Sequence, residues 1–77
     1  MYPEGCLLAP DGKILFSFEK DPLNPSNEGF IEFWSVSGEN SKKFRYRKRL
    51  GLIKALSQWK SLIKKGWQVI DEFELVA

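Results

Sequence analysis

The chain has 77 residues, 43% of them hydrophobic and 14% aromatic, with twelve basic and ten acidic side chains and a net charge of +2. That much apolar material excludes a disordered chain, and the length excludes more than one domain over 1–77. There is no histidine and a single cysteine, Cys6, which excludes an intramolecular disulfide and the usual zinc sets and removes the commonest general base.

In chain order, Cys6–Ala9 and Lys13–Glu19 flank Pro10-Asp11-Gly12. Proline presets φ, aspartate bonds its own backbone and glycine tolerates a positive φ, so a β-hairpin is predicted with Ile14, Phe16 and Phe18 on one face. Residues 21–29 hold two Pro, two Asn and a Gly and read as a loop. A second hairpin follows, from 29–36 and 43–47, around Ser37-Gly38-Glu39-Asn40. An even loop pairs Ile31 with Tyr46 and Phe33 with Phe44 on a core side. Glu32 then meets Arg45, Trp34 meets Lys43 and Phe30 meets Arg47 on the other side. An odd loop would swap that parity.

Leu52, Ala55, Leu56, Trp59, Leu62 and Ile63 form one apolar stripe over a helix at 52–65. Gly51 takes the N-cap, Gly66 the left-handed position after the helix, and Trp67 packs back on the last turn. Trp59 and Trp67 are read as core. Trp67, Val69, Phe73 and Leu75 alternate as a closing strand, with Asp71 the odd member. The expected fold is α+β, one domain over 1–77: an antiparallel sheet of four to five strands, one helix packed across it, in the order β-β-β-β-α-β.

Charge is segregated along this order. Positions 1–40 carry two lysines and seven acids, 41–65 carry ten bases and no acid, and 66–77 carry three acids. The densest run is Lys42-Lys43-Phe44-Arg45-Tyr46-Arg47-Lys48-Arg49. Local fields of this kind decide polyanion binding more than net charge does. The candidate polyanion-binding residues are Lys42, Lys43, Arg45, Arg47, Lys48, Arg49 and Lys54, with Phe30 and Trp34 as stacking surfaces for unpaired bases. Lys65 extends the footprint along the helix. The competing reading makes these cations a solvated face, or the counterweight of the chain's own Glu32 and Glu19.

Catalysis has little to draw on. Cys6 has no base to activate it and reads as a small buried hydrophobe. Asp71, Glu72 and Glu74 read as a solvated edge rather than an acid/base pair. No phosphate-binding glycine motif occurs. The expectation is a non-enzymatic binding module without metal or cofactor. Nucleic acid is its first partner class, and an acidic protein surface the alternative. No signal peptide or membrane span is predicted, and the expected location is cytoplasmic.

Gly5-Cys6-Leu7-Leu8, Asp11-Gly12, Phe16 and Phe18, Arg47-Lys48-Arg49-Leu50, Ala55 and the run from Trp59 through Leu62 to Gly66-Trp67 together resemble a known pattern. It is similar to a domain-of-unknown-function family of short proteins from marine picocyanobacteria, with a basic stretch before a helix ending in Trp-x2-Leu-x3-Gly-Trp. Cys6 stands where that family's pattern has Trp, and Gly51 where it has a Ser or Thr cap. The resemblance implies a cyanobacterial, cytoplasmic protein and no assigned activity. Hairpins followed by a helix ending in Gly-aromatic are also loosely similar to the WGR domain, although the Trp-Gly-Arg triplet is absent.

Overall fold

The computed structural model describes residues 1–38 and 41–71. Its elements are β1 (Gly5–Leu8), β2 (Ile14–Lys20), β3 (Glu28–Val36), β4 (Lys42–Gly51), α1 (Leu52–Lys64) and β5 (Gln68–Ile70). The five strands form one antiparallel sheet in the order β4-β3-β2-β1-β5. The expected element order and fold class hold. The helix carries the chain from the β4 edge to the opposite edge, where β5 pairs with β1.

The β1–β2 turn follows its residue chemistry. Gly12 sits at φ 74°, the Asp11 carboxylate accepts the Lys13 amide at 2.9 Å, and the Gly12 amide donates to Ala9 O. Alternation then divides the sheet into two faces. Leu7, Phe18, Ile31 and Leu50 meet Ala55 and Leu62 of the helix, with Phe16, Leu52, Trp59 and Trp67 packed around them. The Trp59 ring stands edge-on to Phe18 at 5.1 Å, and Trp67 stacks on Phe16 at 5.1 Å. Both tryptophans are partly buried and pack against the core, Trp59 from the stripe where its helical phase places it and Trp67 from just beyond the helix. On the open face Cys6 and Leu15 anchor a smaller cluster with Leu8, Trp34, Val36 and Ile70.

The helix ends are built from backbone. Gly51 offers no side-chain cap, and the Leu52 amide instead donates to Asn27 O at 2.8 Å, tying the helix start to the β2–β3 loop. At the other end Trp67 N donates to Leu62 O and Gly66 N to Ile63 O, each at 3.0 Å, with Gly66 at φ 95°. This is a Schellman motif, which satisfies the last carbonyls and turns the chain toward β5.

Four expectations are corrected. Ile31 pairs with Lys48, Glu32 with Arg47, Phe30 with Arg49 and Phe33 with Tyr46, a two-residue shift that leaves the faces unchanged. Five residues separate Val36 from Lys42, and a bulge opposite Phe33/Trp34 leaves Arg45 without a cross-strand partner. Beyond that bulge parity reverses, so Phe44 pairs with Trp34 on the open face rather than joining the core. Ile63 is 41% exposed and lies off the buried stripe, whose buried helix members are Ala55 and Leu62. The closing strand is the three-residue β5; Phe73 and Leu75, like Glu72 and Glu74, lie outside the described residues. Among the described residues no helix is long and apolar enough to cross a membrane.

Candidate polyanion interface

β4 is an edge strand with its inner side on β3 and, among the described residues, no strand on its outer side. Its ten residues alternate across the sheet, so the basic block is cut in two by a single geometric fact.

One half faces away from the helix. The Arg47 guanidinium lies 4.0 Å from the centroid of Phe30 and Arg49 lies 4.9 Å from it, while the Lys42 ammonium lies 4.5 Å from Trp34. Arg47 approaches Glu32 at 3.8 Å, and Glu32 also accepts the Trp34 indole N–H at 3.1 Å. Arg49 donates to Asp21 at 3.0 Å and stands 3.5 Å from Glu28. Asp21 is 6% exposed and also accepts the Leu23 amide at 2.9 Å. That amide first, and then Arg49, hold its carboxyl below the ordinary range. Asp21 in turn holds the Arg49 guanidinium more firmly charged. These cations cover the aromatic faces and neutralise the chain's own acids.

The other half faces the helix side. Lys43 pairs with Ser35 near the turn, and Lys48 pairs with Ile31 opposite the buried core. Between the Lys48–Leu50 end of β4 and the helix lies an open groove of about 670 Å³. The buried Leu50 and Leu62 form its aliphatic floor and the exposed Ile53 borders it; Lys48, Lys54 and Lys65 also line it, and Ser57 and Ser61 add hydroxyls. Among the described residues no acid forms an ion pair with these three lysines.

Every nominated residue therefore belongs to the same edge of the molecule, but not to one surface. The expected platform of Phe30 and Trp34 beside Lys43, Arg45 and Arg47 is corrected. The neighbours of those rings are Lys42, Phe44, Arg47 and Arg49, Lys43 is on the opposite face, and Arg45 sits in the bulge. Lys48 and Lys54 are joined by Lys65 and the two serines, which the helical spacing at 54, 57, 61 and 65 brings onto one side. Asp21 and Glu28 were not among the acids named as partners. Neither is near Arg49 in sequence; the β2–β3 connection delivers Asp21, and the start of β3 delivers Glu28.

The chain belongs to the family of proteins of unknown function DUF1651, whose model matches residues 4–73. No curated protein and no solved structure matches it.

Proposed function

We propose that the chain is a small non-enzymatic binding module that holds a polyanionic partner along the groove between β4 and α1. One observation carries this reading: Lys48, Lys54 and Lys65 converge on one open groove, while the cations across the strand are engaged by the chain's own carboxylates and rings. An anionic ligand lying along these lysines gains their attraction and releases its own counterions. The absence of histidine and the shallow groove agree with binding rather than turnover. The cyanobacterial and cytoplasmic setting implied by the resemblance belongs to the same proposal.

Nucleic acid remains a second reading, favoured by two half-exposed aromatics on β4: Phe44 at 47% and Tyr46 at 49% exposure. Each offers area for stacking, which is worth about 1–3 kcal/mol per base. Against it, the groove floor is aliphatic, and the Phe30 face is covered by Arg47. The test is titration of a labelled polyglutamate peptide and a labelled single-stranded oligonucleotide over a range of salt concentrations. Pull-downs from lysate with and without nuclease accompany it. At least one polyanion should bind with steep salt dependence, and the exchange Lys48→Gln/Lys54→Gln/Lys65→Gln should weaken that binding and flatten its salt dependence. If neither binds, or if the triple variant binds as well as wild type, the proposal is wrong.

A further inference from the structure

Resting on the polyanion reading above, we infer that the partner is an acidic, extended polypeptide segment that adds to β4 as a sixth strand. Its inward side chains would lie in the lysine groove. Three observations bring this together. The first is the outer edge of β4, which carries no strand among the described residues: a strand pairs on both sides, and every second residue of an edge strand turns its N–H and C=O outward. β4 is the longest strand of the sheet, and its stretch from Tyr46 to Gly51 runs in regular register with β3, the bulge being confined to Arg45. An added strand would therefore meet an even ladder beside the groove and an interrupted one beyond it.

The second observation is the groove's chemistry. Lys48 and Leu50 are two residues apart on β4 and face the same way, while Ile53, Lys54, Leu62 and Lys65 face them from the helix. A neighbouring strand presents alternate residues to that side. The groove thus fits an apolar side chain over Leu50, Ile53 and Leu62, with carboxylates two residues before and after it against the lysines. Nucleic acid makes poor use of this site, because bases stack on rings and the floor has none.

The third observation excludes a second copy of this chain. Antiparallel pairing of two β4 strands would set Lys and Arg against Lys and Arg along an element with six cations and no acid, and like charges directly opposite are destabilising. Cations on an edge are a standard device against self-association. The same charges that repel a copy attract an acidic strand, so the edge is selective rather than merely blocked.

The experiment uses the full chain and a short synthetic peptide with Glu, Leu and Glu at alternate positions between threonines. Two further versions are N-methylated on one or the other set of alternate backbone nitrogens. The unmodified peptide should bind and slow hydrogen exchange at alternate amides within 46–51. Methylation of the inward-facing set should weaken binding by about tenfold or more, and methylation of the other set should leave it nearly unchanged. Lys48→Glu should abolish binding of the unmodified peptide. Equal effects of the two methylated peptides, or no protection of β4 amides on binding, would overturn strand addition while leaving the polyanion reading intact. An oligonucleotide that outcompetes the peptide without protecting β4 amides would assign the groove to nucleic acid. Failure of both polyglutamate and oligonucleotide to bind would remove the underlying reading itself.

Discussion

On the open side of β4, Arg47 and Arg49 lean over Phe30 and reach Glu32, Asp21 and Glu28. On the groove side, Lys48 meets Lys54 and Lys65 across an aliphatic floor with no acid paired to them among the described residues. Lys48 lies within the same run of sequence as Arg47 and Arg49 and differs in which way the strand turns it, while Lys54 and Lys65 join it from the helix. Residue type follows the difference. Arginines, whose planar heads stack on rings and fork onto carboxylates, make most of the internal contacts, with Lys42 over Trp34 the lysine among them; lysines, compact and strongly hydrated, line the groove. A cluster of like charge in sequence is thus not a cluster in space, and its parts are open to separate mutation.

The comparison is sharpened first by fixing the scale of the helix-side core. Trp59→Ala, which removes the ring standing against Phe18, should cost about 3–5 kcal/mol in a urea titration. A variant with wild-type midpoint would show that the helix does not hold the sheet through this residue.

The open side should next declare itself in acid. Because the Asp21 carboxyl is depressed when folded, its contribution is complete above the ordinary value of 3.8 and is lost as pH falls through the lower, folded value. Asp21→Asn should lower stability at neutral pH and flatten the acid limb of the urea midpoint below about pH 4. An acid limb parallel to wild type would break the Asp21–Arg49 half of the comparison.

Glu32→Ala should cost about 1 kcal/mol, since it removes the acceptor of the Trp34 indole and a partly exposed, screened ion pair with Arg47. Trp34 fluorescence should shift with it. The smallest effect belongs to the groove: Lys48→Gln, Lys54→Gln and Lys65→Gln should each change stability by no more than about 0.5 kcal/mol. A large loss from any of them would mean that the groove lysines also hold the fold.

Much of the fold was legible because its signals are local. The helix stripe, Gly66 after the helix, and Pro10-Asp11-Gly12 each act within a few residues. The β3–β4 register was not, because it depends on a five-residue connection and on a bulge at Arg45 that no residue type there demands. That one bulge moved Phe44 out of the expected core. Leu15 is fully buried on the open face, a second cluster that local alternation did not show; Trp34 and Val36 from β3 and Ile70 from β5 pack against it. The sequence drew attention to Lys48, Lys54 and Arg47, which the fold brings to the β4 edge of the molecule. The division of labour between its two sides needed Asp21, Glu28 and the helix to be placed in space.

The central claim is that groove-side cations bind while open-side cations stabilise. It is tested most directly by measuring binding of one labelled polyanion, across salt, together with urea midpoints for two variants: Lys48→Gln/Lys54→Gln/Lys65→Gln and Arg47→Gln/Arg49→Gln. For an oligonucleotide the lysine variant should flatten the log–log salt slope by about two units, from three phosphates at about 0.7 each, with its midpoint unchanged. The arginine variant should keep most of the slope and lose stability. An arginine variant that loses the binding, beside a lysine variant that keeps it, would contradict the account.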